Sequence, residues 1–127
     1  MPSEPGKPVA GRRARTLDWI NDILDNVTLI QDLVRRETLE SFVANKERVY
    51  AVKFALIVIS EAARRLPKDI HARHADIPWR QVKDLRNAFT HEYHTIDLAR
   101  LWRTASENLD VLKRAMVDER RRYRRSG

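Results

Sequence analysis

Apolar residues recur at helical spacing along most of the chain. Leu17, Ile20, Leu24 and Val27 fall on one stripe, widened by Ile23, Ile30 and Val34, and predict an amphipathic helix from Thr16 to about Arg36. Thr38 is placed to cap a short turn, Leu39 to Ala44, and Asn45 to cap a longer helix that Pro67 stops after about Leu66. The β-branched residues of that longer segment, Val49, Val52 and those in the run from Ala55 to Ile59, also suit a strand. Length decides for helix: about 20 residues pass without Gly or Pro, with alanines at 51, 55, 62 and 63 and with Glu61 placed to pair with Arg64 or Arg65. The pattern predicts a central helix buried nearly all round.

Residues 67–78 carry two prolines, two histidines and few apolar groups, and read as a connector with one irregular turn. Pro78 suits the first position of a helix, and Trp79, Val82, Leu85 and Phe89 form its apolar stripe, ending near residues 90–94. A last helical pattern runs through Leu98, Leu101, Trp102, Ala105, Leu109, Leu112 and Met116 and fades into residues 120–125. Trp79 and Trp102 are most simply core anchors. With no repeat and no strand pattern, the expected fold is all-α, a bundle of four to five helices.

A chain of 127 residues is the size of one domain. It has no cysteine, which excludes disulfides, thiolate metal sites and a cysteine nucleophile, and fits a reducing, cytoplasmic home. No apolar run exceeds six residues, so neither a signal peptide nor a membrane span is expected. The net charge of +7 lies mostly at the ends. Residues 1–15 and residues 118–127 each contribute +3, and residues 16–117 only +1. The expected organisation is therefore a basic, disordered N-terminal tail over residues 1–15, a helical domain over 16–117 and an Arg-rich C-terminal tail over 118–127. These ends either grip RNA or keep the protein soluble.

Two places could carry chemistry. The four histidines form two His-x-x-His pairs, His71 with His74 and His91 with His94, a spacing that can chelate on a helix. The first pair lies in the polar connector, and no carboxylate sits at a fixed offset from both pairs, so solvated histidines are expected and no metal or cofactor. The second place is Arg86-Asn87-Ala88-Phe89-Thr90-His91-Glu92-Tyr93, preceded by the Pro78-Trp79 helix start. An arginine fork holds a phosphate and stabilises transition-state charge, and a histidine moves protons near neutral pH. The nearby cation should favour neutral imidazole, ready to take a proton from a ribose 2′-hydroxyl, which RNA has and DNA lacks.

The bare Arg-x4-His spacing is weak in a chain of 19 arginines; Arg64 and Arg65 lie near His71 by chance at similar spacing. The competing readings are plain ones. Arg86 is then a surface arginine paired with Asp84 or Glu61, His91 a helix-end residue favoured by the dipole, and Tyr93 a packed ring with a wet hydroxyl. Glu61, expected to be buried, suits an ion pair orienting Arg86 better than a general acid. Along an ideal helix five residues turn about 140°, which splays Arg86 from His91, so the helix must loosen near Thr90 or a second chain must complete a cleft.

Together the stretch Ile59-Ser60-Glu61-Ala62-Ala63-Arg64-Arg65-Leu66, the segment Ile77-Pro78-Trp79-Arg80, the signature Arg86-Asn87-x3-His91-Glu92-Tyr93, and Ile96-Asp97-Leu98 leading into Leu101-Trp102 resemble the HEPN superfamily. The likeness is to its HepT-like branch of toxin ribonucleases from toxin–antitoxin pairs and covers roughly residues 16–117. It implies an up-and-down, HEPN-like bundle that forms a homodimer and a metal-independent endoribonuclease toxin, with Arg86 and His91 catalytic at the dimer cleft and Asn87 positioning RNA. It also implies a cognate minimal nucleotidyltransferase antitoxin that transfers AMP to Tyr93, adding bulk and negative charge where RNA phosphate would bind. Relatives often carry a proline in the last connection; Asn108-Leu109-Asp110 stands there instead, which argues against a sharp break. The alternative function is a non-catalytic helical module that partners a nucleotidyltransferase or binds nucleotides.

Overall fold

The computed structural model describes residues 9–90 and 97–125, and the side chains of 11–88 and 97–125. Among these residues seven helices follow one another: α1 (Val9–Val34), α2 (Leu39–Ala44), α3 (Lys46–Arg65), α4 (Lys68–Arg73), α5 (Trp79–Thr90), α6 (Leu98–Glu107) and α7 (Asp110–Arg125). The fold is all-α, with two six-residue helices added to the expected longer ones. Expected features at residues 1–8 and 91–96 lie outside the described residues.

Caps set the joints. Thr38 Oγ1 accepts the Ser41 N–H at 3.1 Å and Ser41 Oγ accepts the Thr38 N–H at 2.8 Å, a capping box that holds α2 and seats Phe42 fully in the core. Asn45 Oδ1 accepts the Arg48 N–H at 3.0 Å and starts α3. The core is formed by Ile20, Ile23, Val27 and Ile30 of α1, Val52, Leu56 and Ile59 of α3, and Leu112 and Met116 of α7. α7 runs antiparallel to α1: Arg120 reaches Asn21, while Asp110 and Lys113 meet Gln31. α5 returns along α3 because Trp79, at its start, donates Nε1–H to the carbonyls of His71 and His74, beyond the end of α3.

Five expectations are corrected. The central helix is not buried all round: Tyr50 is 58% and Phe54 68% exposed, because α1, α2 and α5 leave one side of α3 covered by none of the described residues. α1 begins at Val9 and not near Thr16, so residues 9–15 are helical; after Pro8 the segment holds good helix formers, and Thr16 is buried. α7 runs to Arg125 through the expected tail, since Leu112, Met116, Glu119 and Tyr123 continue one inward stripe.

The connector contains α4, and its histidines are packed rather than solvated. His71 Nε2 lies 3.0 Å from the Ala63 carbonyl, with its ring 4.5 Å from that of Trp79. Burial is the main cause that holds this imidazole's pKa below its ordinary value. Finally, the last helical pattern is interrupted without a proline, α6 ending at Glu107 and α7 starting at Asp110. Thr104 and Ser106 hydroxyls donate back to the carbonyls of Arg100 and Trp102, Asn108 leaves helical geometry (φ −110°, ψ 6°), and buried Leu109 anchors the corner.

Glu119 is fully buried, and Arg73 clamps it through Nη2–H to Oε1 at 2.8 Å and Nε–H to Oε2 at 3.0 Å, with His74 Nε2 at 2.7 Å. Burial alone would raise this carboxyl's pKa, but hydrogen bonds from Arg73 and His74 outweigh it and hold it below the ordinary 4.5. The Arg73→Ala variant strands a buried charge and should lose about 3–5 kcal/mol of stability in urea unfolding at pH 7. Because the folded pKa is depressed, the stabilisation is complete above the unfolded value and disappears as pH falls through the folded one. The gap between wild type and variant should therefore narrow as pH falls, first as the variant's stranded carboxyl, left to burial, takes up a proton, and then as the wild-type ion pair is lost in acid.

Candidate active site

Ser60 and Glu61 are successive residues of α3 that meet α5. The fully buried Ser60 hydroxyl donates to the Lys83 carbonyl at 2.7 Å and accepts the Arg86 N–H at 3.4 Å. This sets the register of α5 against α3 and contributes on the order of 1 kcal/mol. In that register Arg86 Nη1 lies 3.0 Å from Glu61 Oε2. The arginine side chain is 52% exposed and the carboxylate 31%, so the pair is a surface one and Glu61 is not buried as expected. It is worth little to stability; its consequence is directional, tethering one edge of the guanidinium.

Asn87 is exposed beside Arg86 on α5. His91 and Tyr93, with Glu92 and His94, lie outside the described residues. Of the residues expected at the site, Glu61 and Arg86 are thus brought together across two helices. The role of Ser60 escapes sequence reasoning, although a hydroxyl amid the buried residues of α3 signals a partner, since buried polar groups are bonded.

Neither of two cavities among the described residues includes Arg86 or Asn87 in its lining. A groove of about 510 Å³ between α5, α6 and α7 has Val82, Leu85 and Leu112 in its wall and Arg100 and Arg103 on its rim. A second, of about 350 Å³, lies where α1 begins and α7 ends. Arg86 stands instead on the open surface next to the uncovered side of α3. Tyr50, Phe54, Ile57 and Glu61 are spaced four, three and four apart, one helical stripe that leads from exposed aromatics to the Glu61–Arg86 pair.

His74, Asp118 and Glu119 place ligand atoms within 4.8 Å of one another, the one group among the described residues with metal-ligand chemistry. Both Glu119 oxygens already accept from Arg73, so a divalent cation would have to sit against a guanidinium. The arrangement suits an ion-pair junction between α4 and α7.

Residues 23–118 match the family described as "Ribonuclease HepT-like". Over 96 residues the chain is 34% identical to "Probable ribonuclease HepT" of Thermococcus cleftensis, covering 76% of this chain and 87% of the relative. It is 31% identical to "Putative RNase MJ1216" of Methanocaldococcus jannaschii, covering 76% and 79%. A match to "Putative RNase TTE0752" of Caldanaerobacter subterraneus is 25% identical, covering 79% and 89%. No solved structure matches the chain.

Proposed function

Because this chain belongs to the Ribonuclease HepT-like family, matching it over residues 23–118, we propose that it is an endoribonuclease that cuts RNA without a metal. The carrying observation is the tethered, half-exposed Arg86 on the signature helix. In this reading His91 takes the proton of a ribose 2′-hydroxyl, and the oxygen attacks the adjacent phosphorus. Arg86 holds the non-bridging oxygens as charge builds on them. The 5′-oxygen leaves with a proton, so the products carry a 2′,3′-cyclic phosphate and a 5′-hydroxyl. Asn87 orients the strand, and Glu61 is a positioning residue for Arg86.

The site is completed by a second copy of the chain. Exposed Tyr50 and Phe54 form an apolar patch on the stripe that ends at Glu61, and burying that patch against its symmetry mate draws two Arg86 side chains to one seam. Regulation follows from AMP transfer to Tyr93 by a cognate minimal nucleotidyltransferase acting as antitoxin in the cytoplasm. No helix among the described residues is long and apolar enough to cross a membrane.

The rival is a non-catalytic module that binds nucleotides or partners a nucleotidyltransferase. Incubation of the purified chain with RNA in EDTA separates them. Cleavage is expected; RNA that stays bound and intact in both chelated and metal-supplemented buffer would favour the module.

A further inference from the structure

The two arginine-rich ends, far apart in sequence, converge because α1 and α7 are antiparallel. Between them lies the cavity of about 350 Å³, to which α1 supplies Arg12, Arg13, Arg15 and Trp19 and α7 supplies Tyr123, with Pro67 at its edge. Arg12, Arg15 and Trp19 are spaced three and four apart and share one face of α1. Trp19 and Tyr123 are half-buried against the core, which fixes their rings. Asp69 and Glu119, the acidic groups that bear on Tyr123, both bond Arg73, at 3.3 and 2.8 Å, so their charge is already matched locally.

We infer that this pocket is an accessory anchoring site for single-stranded RNA, seating one nucleotide with its base against Trp19 or Tyr123 and its flanking phosphates on Arg12 and Arg15. Guanidinium groups beside fixed aromatic faces are the chemistry that holds single strands irrespective of sequence. The volume lies near the low end of small-molecule pockets, about 300 to 1,000 Å³, which suits one nucleotide rather than a folded partner. Every lining residue but Pro67 falls outside residues 23–118, so the site is an addition to the matched domain rather than a part of it. Pro67, at the edge of the pocket, and Glu61, the partner of Arg86, both lie at the C-terminal end of α3, Pro67 just past it. The inference rests on the ribonuclease reading only in naming the bound strand as substrate.

The test is fluorescence anisotropy of the full chain with a 2′-O-methyl uridine decamer, which cannot be cleaved, over a salt series. The double variant Arg12→Ser/Arg15→Ser should bind at least tenfold more weakly, with a salt slope reduced by about 1.4. Trp19→Leu should lose about tenfold and Trp19→Phe much less, because a ring remains to stack. On cleavable RNA the arginine variant should raise KM and leave kcat unchanged. Unaltered affinity and slope would overturn the site while cleavage, if present, stands. Equal weakening toward dextran sulfate, with Trp19 emission unchanged by the RNA, would mean bare charge attraction and would also overturn it. Pocket-dependent binding by a chain that cuts no RNA would uphold the site and sink the ribonuclease reading.

Discussion

Replacing His91 with alanine should lower RNA cleavage about 10²- to 10⁴-fold while leaving the far-UV circular dichroism of the bundle unchanged. The size follows from what is removed. Arg86 can still hold the phosphate, so RNA binding survives, but the group assigned to take the 2′-hydroxyl proton is gone. The loss should therefore appear in kcat with little change in KM. Core residues among those described come from all seven helices, before and after His91 in the chain, so the helical dichroism reports whether the bundle survives the change. A variant with wild-type kcat would remove His91 from the chemistry, and one with collapsed dichroism would show a structural role.

The second large effect belongs to Phe54. A 68% exposed phenylalanine with Tyr50 one turn away is an unusual surface for one copy and an ordinary one for half of a symmetric seam. Phe54→Asp places a carboxylate where two apolar patches meet, and like charges then face each other across the axis. Association should weaken by at least about 30-fold, as for a central interface residue, and the sedimentation coefficient should fall to that of one chain. Cleavage should fall with the dimer and recover at high protein concentration. Phe54→Leu should retain both. If Phe54→Asp stays associated and active, the seam lies elsewhere.

Much of the fold was readable from short-range chemistry. Thr38, Asn45 and Pro67 mark joints that the structure reproduces, because a cap or a missing N–H acts within a few residues. α4 was hidden, since its anchoring comes from afar: Ile70 is its one buried residue, and Arg73 and His74 are held by Glu119 of α7. The outer side of α3 was misjudged because a run of apolar residues does not say which of them meet a neighbour, and Tyr50 and Phe54 do not. The arginine-rich ends looked like tails by charge, yet arginine is a good helix former, and Thr16 and Tyr123 continue inward-facing stripes.

The site was legible in part. Glu61 and Asp84 both stood as partners of Arg86 in sequence, and the cross-helix distance of 3.0 Å belongs to Glu61. What selects it is the Ser60 hydroxyl, bonded to Lys83 and Arg86 of α5, a tertiary contact with no periodic signature. The groove of about 510 Å³ and the pocket between Trp19 and Tyr123 likewise depend on helices meeting that are distant in the chain.

The chemistry attributed to Arg86 and His91 is attack by the substrate's own 2′-oxygen, and the ends of the cut RNA record it. Products formed in EDTA should carry 2′,3′-cyclic phosphate and 5′-hydroxyl termini, and a single 2′-deoxy substitution at the cut position should block cleavage there. Products with 3′-hydroxyl and 5′-phosphate ends, or undiminished cutting at the deoxy position, would mean that water is the nucleophile and would contradict the account.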